Sequence, residues 1–512
     1  MDELTPLSNA NLDKLPDTIE RPRYQRTDLK PGIVHIGVGN FHRAHQAWYL
    51  HRLMQMGDAH DWAIIGAGVR HYDAVMREKL LEQDCLTTLV ELDPSGSSAE
   101  VIGGMIDYLP VEEGHGALIE AIVQPSIRIV SLTVTEGGYY LDPATNTFDQ
   151  DHADIQRDAK SLESPITAFG AIIAALKQRR SSGAGPLSIL SCDNLQGNGA
   201  IARQAVVSLA RLSDPDLADW IDQNCTFPNC MVDCIVPATG PEELAMAQAL
   251  GVDDAVPVTH ENFRQWVIED DFCAGRPNFD KVGVTFTDNV HTYEAMKLRM
   301  LNAGHQVLAN VGQILGLETI ADCMANTGIH GFFQKVQKEE IIPHVQAVPG
   351  MAPTEYLDLI SRRFANPFIK DTTRRVAFDG SSRHTGFVLP IIRDALDTGA
   401  DISGLALVEA LWARMCFGQR EDGSLIEAND PNWHSLATVA QAARENPALW
   451  LEQEAIYGAL RNSQPFAHAF AQWLTFIWQS GAQVAIETYC SDSSIPVVSQ
   501  PLSAGIHSAS HG

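Results

Sequence analysis

Apolar residues along this chain fall into two patterns, and the change between them divides the molecule. Through roughly residue 286, short apolar runs of four to eight residues recur, each ending in glycine or small polar residues. Such runs predict strands buried on both faces: 32–36 (GIVHI), 62–69 (WAIIGAGV), 127–134 (IRIVSLTV), 187–191 (LSILS), 230–236 (CMVDCIV) and 282–286 (VGVTF). Helical patterns lie between them, including one opening near Asn40 and running through Leu53 and another from about Gly199. From 287 to about 485 the strand pattern stops and long helical periodicity takes over, for example at 405–417 and 467–480. The predicted fold is α/β. A Rossmann-type doubly wound sheet domain occupies 1–286, and a mainly α-helical domain occupies 287–512. Residues 1–30 read as an irregular lead, and the Ser-, Gly- and His-rich tail after Tyr489 reads as loose.

The stretch 291–316 (HTYEAMKLRMLNAGHQVLANVGQILG) has apolar residues at helical spacing: Met296, Met300, Leu301, Leu308, Val311 and Leu315. Glu294, Lys297, Asn302 and His305 interrupt that apolar face. At about 100° per residue, Lys297, His305 and Asn302 fall near ~0°, ~80° and ~140°, one sector of a single helix. Each of the three alone is more simply a snorkelling lysine or a satisfied core amide or imidazole. Together they suggest a desolvated amine able to act as a base, beside groups that hold substrate oxygens. Glu294 is placed either to pair with its neighbours at helical spacing or to link the lysine to water.

Candidate ligand chemistry also sits where the first strands end. The run 32–36 leads into Gly37-Val38-Gly39-Asn40-Phe41-His42-Arg43-Ala44-His45. Strand, glycines and helix in that order form the setting of a dinucleotide turn, although the third glycine of GxGxxG is missing. His42 and His45, spaced i, i+3, read as a solvated first helical turn rather than as metal ligands. After the second strand, Asp73 is the candidate acid for ribose hydroxyls, favouring NAD, and its alternative is a helix N-terminal carboxylate. Arg70 keeps NADP open. The third strand ends in Thr135-Glu136-Gly137-Gly138-Tyr139, and the fourth in Cys192-Asp193-Asn194-Leu195. Asp233, inside an apolar strand, is either paired or close to substrate. The segment 366–383 is polar and basic, with Lys370, Arg374, Arg375 and Arg383.

A chain of 512 residues is too long for one core, which agrees with two domains. Its net charge of −28 argues against nucleic acid and anionic membrane as partners. No apolar run has membrane-spanning length, and the acidic N-terminus is unlike a targeting peptide, so a cytoplasmic location is expected. The nine cysteines read as free thiols; Cys225, Cys230 and Cys234 lack zinc spacing and no HExxH occurs, so no metal is expected.

Several of these strings carry a resemblance. KLRMLNAGH resembles the K-x-x-x-x-N-x-x-H signature of the polyol-specific long-chain dehydrogenases, the mannitol 2-dehydrogenase family. GVGNFHRAHQAWY resembles that family's nucleotide-binding turn, and TEGGY and SCDNL resemble two further blocks in the family's order. The resemblance implies reversible hydride transfer between a polyol, with D-mannitol and D-fructose the leading pair, and NAD. It implies Lys297 as general acid/base, Asn194 and Asn302 as donors to the developing alkoxide, and His305 positioning a neighbouring hydroxyl. Gly37, Gly39, Asn40, Phe41, His42, Arg43, Asp73, Glu136 and Gly137 are then the cofactor residues. Arg375 and Arg383 join the substrate side, with Arg383 standing where the family's lysine is expected; Asp233, from its own strand position, is a further substrate candidate. The rivals are a sugar-acid reductase (fructuronate or tagaturonate) or arabinitol dehydrogenase of the same family, and a non-catalytic dinucleotide sensor. The expected assembly is a monomer or small homo-oligomer.

Overall fold

The computed structural model describes residues 4–142, 147–491 and 493. The chain separates into two compact units, one of residues 1–297 with 346–371, the other of 298–345 with 372–512. The first unit thus extends past 286 and takes in a segment that the sequence places in the helical half. Of the tail expected to be loose after Tyr489, Cys490 ends the helix Ala482–Cys490, and the residues beyond 493 lie outside the described residues.

The first unit is built on a five-stranded parallel sheet. Its strands are β1 (Pro31–Ile36), β2 (Ala63–Ala67), β3 (Met105–Tyr108), β4 (Ile129–Leu132) and β5 (Ser188–Ser191), in the order β3-β2-β1-β4-β5. Ile33 pairs with Ile64 on one side and Ile129 on the other, so β1 is central. Alternate residues feed two cores. Val34, Ile36, Val130 and Leu132 pack with Phe169, Ile172 and Val206, while Ile33, Ile64 and Ile129 pack with Leu50, Leu53 and Trp266. Burial on both faces explains why these strands read as unbroken apolar runs.

Helices α1 (Asn40–Ala44) and α2 (Gln46–Gln55) follow β1, broken at His45, whose φ of −120° and ψ of −92° are not helical. Helix α3 (Asp73–Glu82) follows β2, and α4 (Asn198–Ser213) follows β5. Strand β6 (Cys230–Asp233) runs antiparallel to Gln265–Ile268 in a separate small sheet. A four-stranded sheet contains the hairpin Thr87–Asp93/Gly96–Ile102, the strand Val258–Glu261 and the lead segment's Ile19–Glu20. The lead is therefore less irregular than its prolines suggest.

The expected single helix over 291–316 is three pieces. Helix α5 (Val290–Met296) passes into a π-helical turn, Lys297–Asn302, and then into α6 (Ala303–Leu315), closed by Gly316 at φ +76°. A π turn closes i→i+5 and so rotates less per residue than an α-helix. The three-residue sector drawn on α geometry narrows accordingly along that turn.

Among the described residues the second unit contains helices and no strand. Its centre is formed by α6 and the helix Ser403–Cys416, which bury nearly every side chain. No helix among the described residues is long and apolar enough to cross a membrane.

Candidate active site

Gly37 sits at φ +100°, and a Cβ there would lie 2.1 Å from the Thr133 carbonyl oxygen. Only glycine fits that turn between β1 and β4. A Cβ at Gly39 would meet nothing within 4 Å, so this backbone is open to an approaching group. A cavity of about 210 Å³ lies here, lined by Gly37, Gly39, Arg70, Asp73, Thr135 and other residues of the first unit. Asp73 Oδ2 accepts from the N–H groups of Val69 (3.0 Å) and Arg70 (2.8 Å). One oxygen of Asp73 thus caps the turn before α3, and the residue also lines the cavity. Glu136 and Gly137 open the 3-10 turn Glu136–Tyr139 after β4, both exposed.

The carboxylate that shapes this turn is Asp193, whose role is not visible beside its neighbour Asn194 in the sequence. Asp193 accepts from Val134 N and Thr135 N at 3.0 Å each, and from the Tyr139 hydroxyl at 2.7 Å. These bonds hold Thr135 at φ +65°. Burial pushes the Asp193 carboxyl up to about 6, against the pull of those three donors.

Four residues expected at the cofactor are otherwise engaged. His42 and His45 are buried, contrary to a solvated first turn. His42 stacks on His35 at 3.4 Å between centroids, and burial drives its pKa well below the ordinary value. His45 Nε2 meets the Gln265 carbonyl at 2.9 Å. Arg43 is also buried, donating to the Val256 carbonyl and, at 2.7 Å, to Asn40 Oδ1. Asn40 Nδ2 in turn donates to Pro237 O and Thr239 Oγ1 at 2.9 Å each. The FHRAH string is thus packed inward, with carbonyls satisfying the arginine. Phe41 is half-buried and stacks on His45 at 4.8 Å.

Lys297 lies at the start of the π turn and is 7 % exposed. Its Nζ donates to Asn194 Oδ1 and to the Val232 carbonyl, both at 2.6 Å. Burial lowers its pKa; Asp233 opposes that shift and Arg363 adds to it. An ammonium has three donors, and two are directed here. In the neutral amine the remaining tetrahedral position is the lone pair. Asn194, exposed after β5, keeps its Nδ2 as a donor. Glu294, one turn before Lys297, accepts from Gly197 N (3.1 Å) and pairs with His291 Nδ1 (2.9 Å). Burial raises its pKa, and the His291 and Gly197 bonds oppose the rise.

Asp233 is paired, as one of its two readings has it. Both its oxygens accept from Arg363, at 2.7 and 2.8 Å. Arg363 also holds Glu261, at 2.8 and 2.7 Å. Arg363 and Glu261 lie 130 and 28 positions from Asp233 in the chain and carried no local signal.

In the second unit, Asn302 closes the π turn and His305 stands half-buried on the first turn of α6. Asn302 Oδ1 is buried without a hydrogen-bond partner among the described residues, a costly state unless a ligand completes it. Arg375 is exposed on the helix Thr373–Ala377. Arg383 folds back toward it, donating to the Val376 carbonyl at 2.6 Å. The same carbonyl accepts from Gln306 Nε2 at 3.1 Å. Lys370 and Arg374, from the same basic segment, are paired with Glu242 and Glu427. Among the described residues, no three or more His, Cys, Asp and Glu side chains gather to hold a metal ion.

Comparison with known proteins agrees with this architecture. The mannitol dehydrogenase Rossmann domain model matches residues 31–281, and the mannitol dehydrogenase C-terminal domain model matches 289–478. The chain is 53 % identical to a mannitol 2-dehydrogenase of Cereibacter sphaeroides over 472 residues, covering 92 % of this chain and 99 % of that protein. It is 39 % identical to a polyol:NADP oxidoreductase of Gluconobacter oxydans, over 83 % of this chain and 88 % of that one. Among solved structures, it is similar to Pseudomonas fluorescens mannitol 2-dehydrogenase in ternary complex with NAD and D-mannitol, with a TM-score of 0.87 and 37 % identity, covering 95 % of this chain and 99 % of that chain. With both domain models matched in order along most of its length, the chain belongs to the mannitol dehydrogenase family.

Proposed function

We propose that this chain is an NAD-dependent polyol dehydrogenase that interconverts D-mannitol and D-fructose, with Lys297 as general acid and base. The observation that carries the lysine's role is its geometry: a buried Nζ fixed by two oxygens, with one position left for a substrate hydroxyl. The identity of the substrate rests on the Cereibacter and Pseudomonas relatives.

The residues around the 210 Å³ cavity fit a dinucleotide. Gly37 and Gly39 would let the backbone approach the pyrophosphate, and Asp73 would take the ribose hydroxyls through its second oxygen. Glu136 and Gly137 would lie along the cofactor beyond β4. When bound, NAD supplies the hydride acceptor. Exposed Arg70 on the cavity rim supports a secondary use of NADP, as in the Gluconobacter relative.

A secondary alcohol releases hydride readily only as its proton leaves. Burial favours the neutral amine of Lys297, which takes that proton during oxidation and returns it during reduction. The Asn194 amide donates to the substrate oxygen as negative charge grows on it. Asn302 adds a second such contact, and His305 with Arg375 and Arg383 positions neighbouring hydroxyls. These roles draw on the K-x-x-x-x-N-x-x-H spacing; the partnerless Asn302 Oδ1 is an acceptor and would take a hydrogen bond from a substrate hydroxyl.

The test is turnover with D-mannitol, other polyols and sugar acids, with each cofactor, followed by NADH or NADPH absorbance. A Lys297→Ala variant should lose about 10²- to 10⁴-fold in kcat in both directions. Near wild-type rates in that variant would end the general-base assignment. Preference for a sugar acid over every polyol would move the substrate to the rival class.

A further inference from the structure

The carbonyl that holds Lys297 belongs to Val232, next in the chain to Asp233. Asp233 is 4 % exposed at the end of β6. Its two oxygens and both oxygens of Glu261 are bound by one guanidinium, that of Arg363. Glu261 also accepts from the N–H of Ile235 at 2.5 Å, which fixes the chain two residues beyond Asp233. Three separate segments meet here: β6, the strand Val258–Glu261, and the helix Pro353–Phe364 that carries Arg363. Two carboxylates and one guanidinium leave a formal charge of −1. Buried ion groups of this kind are weak sources of stability, since desolvation offsets the attraction. Their placement against the residue that holds the amine suggests another use.

We propose that Arg363 and Glu261 are positioning residues for the reaction: by clamping Asp233 they fix the Val232 carbonyl against Lys297 Nζ, and they leave one negative charge beside that amine. The proposal rests on the reading of Lys297 as the general acid and base. Asp233 and Cys230 on β6, Arg363, and Glu294 on α5 are the other charged or titratable groups acting on the amine. His45 also interacts with it, but burial lowers that imidazole to about 3 and keeps it neutral. Removing the charge of Glu261 leaves the pair Arg363–Asp233 neutral overall. The ammonium form of Lys297 then loses support, and the amine gives up its proton at lower pH.

The experiment is the pH profile of kcat/KM for polyol oxidation by the full-length chain, comparing wild type, Glu261→Gln, Glu261→Asp and Lys297→Ala. In Glu261→Gln the acid limb should move to lower pH, by up to about one pH unit for the loss of a unit charge in a buried site. Glu261→Asp keeps the charge but shortens the reach, so its limb should stay in place while kcat falls about tenfold. A merely structural clamp would lower stability without moving the limb in Glu261→Gln, and that result overturns the proposal. Should Glu261→Gln fail to fold, wild-type kcat in Glu261→Asp overturns it instead. An active Lys297→Ala refutes the lysine assignment itself. An inactive Lys297→Ala with an unmoved Glu261→Gln limb refutes only the clamp.

Discussion

Replacing Asn194 with alanine tests the site at its most specific contact. The amide oxygen accepts from Lys297 Nζ at 2.6 Å, and its nitrogen is the proposed donor to the substrate oxygen. The substitution removes both. Loss of one preorganised donor to a developing oxyanion lowers kcat by about 10²- to 10³-fold. Loss of the acceptor acts separately, on the amine. A hydrogen bond to a charged group contributes about 1.5–3 kcal/mol, and the ammonium gains more from it than the neutral amine. Lys297 pKa should therefore fall further, by at most about two units and by about one unit after discounting for water, since residue 194 is exposed and water replaces part of the contact. Oxidation needs the neutral amine, so activity is lost below this pKa, and a lower pKa moves the acid limb to lower pH. The assay is kcat against pH for D-mannitol oxidation at saturating NAD, with binding of NAD measured independently. A large loss of kcat with the limb unmoved would refute the contact between Asn194 and the reacting amine. Full activity would refute the role of Asn194 altogether.

Gly37→Ala should weaken NAD binding by at least about tenfold and lower Tm, because its Cβ would overlap the Thr133 carbonyl at φ +100°; calorimetric NAD titration and thermal melts would report both. Asp193, raised to about 6, binds its proton more readily folded than unfolded, so its contribution favours the fold at low pH and is lost as pH rises from about 4 through 6. Asp193→Asn should flatten that part of the Tm–pH curve, and by loosening Val134 and Thr135 it should raise KM for NAD several-fold. In the second unit, the buried Glu409 accepts from His384 Nδ1 at 2.7 Å and from the Tyr457 hydroxyl at 2.9 Å. Glu409→Ala strands both donors and should cost about 2–5 kcal/mol in denaturant unfolding; a loss under about 0.5 kcal/mol would contradict that arrangement.

The strands of the parallel sheet were legible because each is buried on both faces, so their composition alone marked them. The glycine turn and the lysine were legible because a φ of +100° and a cation in an apolar helix are each demanding enough to leave a mark in residue type. The π turn left none: i→i+5 closure depends on the packing around Lys297–Asn302, and the residues read equally well as α. His42 and Arg43 misled for a related reason. Polarity in a first helical turn suggests solvent, whereas the partners that bury these residues, His35 and the Val256 carbonyl, come from other segments of the chain.

By itself, then, the sequence determined the α/β plan, the glycine turn, the lysine set in an apolar helix and the family, all of which rest on periodicity or on residues close together in the chain. Only the tertiary structure decided that Asp193 shapes the loop after β4, that Asp233 pairs with Arg363, and that the segment 346–371 folds with the first unit. Each of those outcomes pairs charges or hydrogen bonds across tens to more than a hundred residues. Such pairing leaves no periodic trace in the chain and follows only from how the backbone brings buried polar groups together.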